Sequence, residues 1–334
     1  MIIKDNIHQD SLTQVILKTI AFFDLFNYPL TAFEIYQYLG KKFALVEIME
    51  VLADGAAGFS GRIGSENGFY FLAGREEIVT IRQERYNYAR RKIKKAARFV
   101  RLFSLAPFVK VIAVANSLGA HNLRDGSDID FFIITAPRRL WLSRFYCAGL
   151  AKLLNSRPRA GQKRDKICLS FYITADYLNL DDLKLPGGDP YFDYWLKDLV
   201  LLYNKDKVYE NFQAANGLGD KAPGNRETAT DRRHFSDDVI VDAPGSVMAE
   251  SCFSKIVSTP GAPIAKSNPF GDRLEKILKK FQLKIMPSAL RAAMNNSDGV
   301  IVNDCVLKFY LRDRRREFKE KYGHKINEIM PARD

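Results

Sequence analysis

Residues 111–135 read VIAVANSLGAHNLRDGSDIDFFIIT, and this stretch decides the fold. Two apolar runs, Val111–Ala115 and Phe131–Ile134, bracket a polar loop that ends in Ser127-Asp128-Ile129-Asp130. Alternate side chains of an extended strand share a face, so Asp128 and Asp130 are expected on one side and Ile129, Phe131 and Ile133 on the other, in a core. Two adjacent carboxylates repel unless one is protonated or a cation lies between them. A divalent metal, hard and oxygen-seeking, is the natural partner, and Asp128 and Asp130 are the candidate ligands.

Working outward, residues 11–26 carry apolar side chains at helical spacing (Leu12, Val15, Ile16, Ile20, Phe23), and Asn27-Tyr28-Pro29 stops that helix. Thr31-Ala32-Phe33-Glu34 has the spacing of a capping box and opens a second short helix. A third runs from about Ala44 to Asp54, and Asn67-Gly68 between two strand-like runs predicts a hairpin. Three helices and a hairpin resemble a winged helix over residues 1–75. This segment holds six Lys/Arg against eight Asp/Glu, and its third helix carries Glu47, Glu50 and Asp54 with no basic residue. Phosphate contacts from Lys and Arg supply most non-specific DNA affinity, so the expected role is structural or protein-docking.

Residues 78–103 then turn basic, with nine Lys/Arg between Arg82 and Arg101 against the single acid Glu84. Tyr86, Ala89, Ile93, Ala96 and Val100 keep a helical stripe through it. Either a connecting helix with a solvated basic face or an electrostatic surface for nucleic acid or nucleotide phosphates fits that composition. Beyond the central stretch come a helix over LWLSRFYCAGLAKLLNS, an alternating strand at Ile167–Thr174, and helices at about Tyr191–Tyr203 and Tyr209–Ala215. Residues 216–271 lose periodicity and read as a flexible linker or insertion, and residues 272–334 read as a helical region with a second basic cluster at Arg312 and Arg314–Arg316.

The net charge of +12 over 334 residues favours anionic partners. Cys147, Cys168, Cys252 and Cys305 form no CxxC pair and read as reduced, mostly buried thiols. No leader-like apolar start and no uncharged stretch of membrane-spanning length stand out, so a soluble cytoplasmic protein is expected. His8, His121, His234 and His324 lack zinc-ligand spacing, and Trp141 and Trp195 fit helix packing better than base stacking. Arg138, Arg139 and Arg144 follow the aspartate strand and could reach a phosphate, although a basic helix face is the commoner explanation.

In order, the centre gives a strand, a small-residue turn (Asn116-Ser117-Leu118-Gly119), a loop and a strand bearing Asp128 and Asp130. Over residues 104–180 this order resembles the nucleotidyltransferase superfamily that includes DNA polymerase beta, and the whole resembles bacterial proteins joining a winged helix to such a domain. The resemblance implies an α+β fold: a mixed sheet flanked by helices over 104–215, an N-terminal winged helix and a helical C-terminal region. It implies that Asp128 and Asp130 hold Mg²⁺ or Mn²⁺, and that Asn116, Ser117 and Gly119 form a turn cradling an NTP. The implied reaction moves a nucleoside monophosphate to a hydroxyl, the acceptor being a nucleic acid, a protein or a small molecule. The alternative is a weakened or inactive member that binds nucleic acid or a partner.

Two departures stand out. Asn116 replaces the family's turn glycine, and its side chain is expected to crowd the phosphates. The strand Ile167–Thr174 offers Ser170 and Tyr172 on its polar face in place of a third carboxylate, with Asp176 just beyond it and Asp165 just before it.

Overall fold

A computed structural model of the chain describes residues 2–39, 43–54, 59–159, 161–218 and 268–330. The chain begins with α1 (Ile2–Asp24), β1 (Leu30–Thr31), α2 (Ala32–Tyr38), α3 (Leu45–Ala53), β2 (Ile63–Glu66) and β3 (Phe69–Leu72). The strands form an antiparallel sheet in the order β1-β3-β2. Asn67 and Gly68 turn the hairpin with φ of 53° and 79°, the left-handed pair that a two-residue connection requires. The capping box forms: Thr31 Oγ1 accepts from the Glu34 amide at 3.2 Å, and the Thr31 amide donates to Glu34 Oε2 at 2.9 Å. On α3, Val46 and Met49 are exposed beside Glu47 and Glu50.

A long helix, α4 (Glu77–Phe103), joins this module to a second sheet. Next come β4 (Val109–Val114), α5 (Asn116–Gly119), β5 (Ile129–Thr135), α6 (Leu140–Leu153) and β6 (Ile167–Thr174). They are followed by α7 (Pro190–Lys197), β7 (Val200–Asn204) and α8 (Val208–Ala215). After residue 268 the chain resumes with α9 (Pro269–Lys284), α10 (Ser288–Ala293), β8 (Val300–Val302), β9 (Val306–Phe309) and α11 (Arg315–Ile329). The sheet order is β7-β4-β5-β6-β9-β8, with β5 and β6 parallel and the other neighbours antiparallel. The described chain is therefore α+β with a mixed sheet flanked by helices. Among the described residues, no helix is long and apolar enough to cross a membrane.

Burial on both faces explains why the strands read as near-continuous apolar runs. Ile129, Phe131 and Ile133 pack with Ala96 and Val100 of α4 and with Leu140 and Trp141 of α6 on one face. Phe132 and Ile134, on the aspartate side, pack with Trp195 of α7 and Phe212 of α8 on the other. The predicted alternation across Asp128–Ile133 holds.

Three readings change. Val200–Asn204 is an edge strand, where a continuous helix to Tyr203 was expected; its β-branched and aromatic residues pair with β4, and α7 ends at Lys197. The expected helical C-terminal region holds a β-hairpin, because Val300-Ile301-Val302 and Val306–Phe309 flank a turn at Asn303-Asp304, and β9 pairs with β6. The last helix therefore starts at Arg315, not near Val306, and docks on the N-terminal module. There Tyr322, Ile326 and Ile329 pack against the α1 core, and Arg62 Nη1 donates to the Ile329 carbonyl at 2.8 Å. The third change is in β6, where Leu169 and Ser170 together oppose Phe131. That extra residue flips the downstream parity, so Tyr172 points into the α4/α6 layer instead of sharing a face with Ser170. The expected linker at 216–271, with Val239–Val241, Cys252–Val257 and His234, lies outside the described residues over 219–267.

Candidate active site

Asp130 is the second residue of a central strand that begins at Ile129, and Asp128 immediately precedes the strand. The loop that delivers them is pinned from behind. Lys92 on α4 is fully buried and donates to the carbonyls of Asp125 at 2.8 Å and Ser127 at 2.5 Å. Its ammonium also lies 2.7 Å from Asp165. Part of the basic run on α4 thus faces inward: Arg82 grips both oxygens of Glu34 at 2.8 and 2.7 Å, and Arg85 donates to Phe26 O and Asn122 Oδ1.

Asp128, Asp130 and Cys168 each offer one ligand atom, and the three atoms lie within 4.8 Å of one another. Cys168 arrives because it is the register partner of Asp130 in the parallel β5–β6 pair. Burial, and then the Asp128 charge, push the Asp130 carboxyl up to about 6, while hydrogen bonds from Asn116 and Cys168 act in the opposite sense. Burial and the two neighbouring carboxylates hold the Cys168 thiol well above its usual value. The Tyr310 hydroxyl, just past β9, is buried without a hydrogen bond of full geometry, and Ser170 and Asn116 are the polar groups within its reach. Burial and then the Asp130 charge push that phenol well above its ordinary value.

Among the described residues no third carboxylate joins the pair. Asp165 is held by Lys92 and Arg91 instead. Asp176 lies past the wrong end of the strand: eight residues beyond Cys168 is roughly 26 Å at the usual strand rise.

Asn116 adopts the left-handed backbone that the turn needs, with φ of 55°. Its side chain is tied back: Oδ1 accepts from Trp195 Nε1 at 2.9 Å, and the amide supports Asp130. Ser117 is exposed beside it. Gly119 is buried, and a Cβ there would lie 2.2 Å from the Asp198 carbonyl oxygen, so the turn can approach β7 only with glycine at this position.

Beside the turn opens a cleft of about 480 Å³, within the range of small-molecule sites. The end of α1 (Phe22, Phe26, Tyr28), the turn (Asn116, Ser117), α7 (Tyr191, Tyr194) and the start of α11 (Arg314, Phe318, Lys321) line it. Tyr191 and Phe318 stack at 5.5 Å with planes 4° apart. Arg85 and Arg124 also line the cleft. Burial and then the nearby Arg124 charge lower Arg85 from its usual value. Neither guanidinium has a carboxylate bonded to it among the described residues.

Other basic candidates serve packing. Arg138 and Arg139 pair with Asp272 of α9, Arg144 donates to Gln282, and Arg315 is buried against Asp189 at 2.8 Å. Arg314 and Arg316 pair with Glu317 and Asp298. His121 lies beside the Tyr86 ring. Trp141 and Trp195 are buried core residues, as expected. Cys147, Cys168 and Cys305 are free thiols, Cys147 fully buried and the other two half-buried.

The reading from sequence missed Cys168, Lys92, Arg85, Arg124 and Tyr310. Cys168 was within reach, since aligning the two strands in parallel sets it opposite Asp130. Tyr310 gave no signal, because its strand read as helix. Comparison of the chain with family models, curated proteins and solved structures yields no match.

Proposed function

We propose that the chain is a metal-dependent nucleotidyltransferase that transfers a nucleoside monophosphate from an NTP to a hydroxyl acceptor. The observation that carries this reading is the pairing of Asp128 and Asp130 at the start of the central strand, across a left-handed turn from a cleft in which Arg85 and Arg124 have no carboxylate bonded to them among the described residues. The order of β4, the turn and the Asp-x-Asp strand resembles the polymerase-beta superfamily, and the N-terminal module has the element order of a winged helix.

The donor set suits a divalent ion: two carboxylate oxygens and a sulphur converge, and one carboxyl is already raised by burial and then by the charge of the other. Asp128 and Asp130 would hold it, and when bound it supplies neutralisation of phosphate charge. Arg85, Arg124 and the Ser117 hydroxyl would hold and orient the triphosphate. Tyr191 and Phe318 offer an aromatic wall for the base. The acceptor oxygen bonds to the α-phosphorus, the bond to pyrophosphate breaks, and the hydroxyl proton leaves to solvent or a base.

The test is transfer of label from α-labelled NTPs to protein, RNA or small-molecule acceptors with Mg²⁺, Mn²⁺ or Zn²⁺. Transfer that is lost in the Asp128→Asn/Asp130→Asn double variant supports the reading; transfer that persists in it rejects the reading.

One observation favours a second reading. A thiol stands where the family's third carboxylate is expected, which fits a weakened or inactive member that binds nucleic acid or a protein partner. That reading predicts salt-sensitive nucleic-acid binding, or partner capture, that survives loss of both aspartates.

A further inference from the structure

We infer that Asp128, Asp130 and Cys168 form a mixed oxygen–sulphur site selective for a thiophilic divalent ion of the Zn²⁺ class over Mg²⁺. This deepens the reading above by naming the metal of the same site. The geometry is the first ground: the two carboxylate oxygens and the thiol sulphur lie within 4.8 Å of one another. Backbone pairing sets it, because Asp130 and Cys168 are register partners in neighbouring parallel strands. The Cα of Cys168 is thereby fixed beside that of Asp130.

A second ground is the Tyr310 hydroxyl, which is buried beside Asp130 with no hydrogen bond of full geometry, only Ser170 and Asn116 lying within its reach. A buried polar group without a partner is a net cost to folding unless something completes it. A metal's bound water, or a phosphate oxygen on the metal, would do so.

Donor chemistry then chooses the ion. Mg²⁺ takes oxygen ligands in a near-ideal octahedron, and thiolate is a poor substitute. Zn²⁺ and its surrogate Co²⁺ accept carboxylate and thiolate together, and three protein ligands leave a position open, as in catalytic zinc sites. Replacing the third carboxylate by cysteine thus alters which metal is selected without abolishing the site.

The experiment titrates Co²⁺ into the metal-stripped full-length protein and follows the near-ultraviolet thiolate-to-cobalt charge-transfer band. Zn²⁺ and Mg²⁺ affinities come from competition. The band is expected in the wild type and in Cys305→Ser, and is expected to vanish in Cys168→Ser. Zn²⁺ affinity should fall at least about tenfold in Cys168→Ser, and Mg²⁺ should not displace Co²⁺ from the wild type. Cys168→Asp should shift preference toward Mg²⁺, and it decides the matter if the serine variant fails to fold by thermal melt. A band that survives in Cys168→Ser overturns the inference, as does a wild type that binds Mg²⁺ as tightly as Zn²⁺. The transfer assay separates the two claims. A cobalt band without nucleotidyl transfer leaves the metal site standing and removes the transferase. Mg²⁺-driven transfer that is unchanged in Cys168→Ser does the reverse.

Discussion

The ammonium of Lys92, with none of its surface exposed, donates to the carbonyl oxygen of Ser127 at 2.5 Å, one residue ahead of Asp128. The long basic helix therefore fixes the position of the aspartate pair through the backbone of the loop that carries it. Lys92→Met keeps the length and removes the donor, leaving the Asp125 and Ser127 carbonyls without this partner. Loss of a buried cation from hydrogen-bonded and ionic partners costs about 3 kcal/mol. Urea denaturation should show a loss of that order, together with weaker metal binding at the aspartates. A change under about 1 kcal/mol would show that the loop holds itself.

Asn116 carries two duties that separate by substitution. Its backbone sits at φ 55° and its side chain accepts the Trp195 indole N–H. Asn116→Gly keeps the backbone free and loses the side-chain hydrogen bonds to Trp195 and Asp130. Asn116→Ala loses the same bonds and adds left-handed strain of roughly 1 kcal/mol. Both should destabilise in chemical denaturation, with alanine the worse by about that strain. Equal losses would mean that the backbone angle carries no penalty here.

Much of this was legible beforehand, for identifiable reasons. Local signals survived intact: the Thr31/Glu34 capping box, the Asn67-Gly68 hairpin, and the alternation that puts Asp128 and Asp130 on one side. Non-local pairing was not legible. Val200–Asn204 and Val306–Phe309 are short apolar runs that helix and strand explain equally until a neighbouring strand claims them. The slip at Leu169 and Ser170, which turns Tyr172 away from the aspartate side, depends on how β6 lies against β5 and leaves no trace in composition. Charge misleads in the same way: the basic run of α4 reads as a surface, yet Arg82, Arg85 and Lys92 spend their donors inside the protein.

Gly119 gives a test in which the sign alone decides. Glycine-to-alanine changes at unstrained positions usually stabilise by about 0.4–1 kcal/mol. Here a methyl group would lie 2.2 Å from the Asp198 carbonyl oxygen, a backbone atom that moves only with the α7–β7 junction. Gly119→Ala should destabilise by about 2 kcal/mol or more, as overpacking does. It should also weaken nucleotide binding, because the displaced turn carries Ser117. A stabilised variant in a thermal melt would refute the close approach.

The Asp130 carboxyl sets a pH dependence whose direction follows from its raised value. It titrates at about 6 in the folded chain, against 3.8 when unperturbed. Between those values the folded chain keeps a proton that the unfolded chain has released, so stability falls as pH rises through the window. Above it the buried charge beside Asp128 costs on the order of 3 kcal/mol. Asp130→Asn removes that charge while keeping the shape. The variant should melt several degrees above the wild type at pH 8 and show little or no advantage near pH 4. A divalent ion should raise the wild-type melt at pH 8, where it answers the same charge, and leave the variant nearly unmoved. Should Asp130→Asn melt lower than the wild type at pH 8, the two carboxylates would not be in the electrostatic conflict on which the proposed cation site rests.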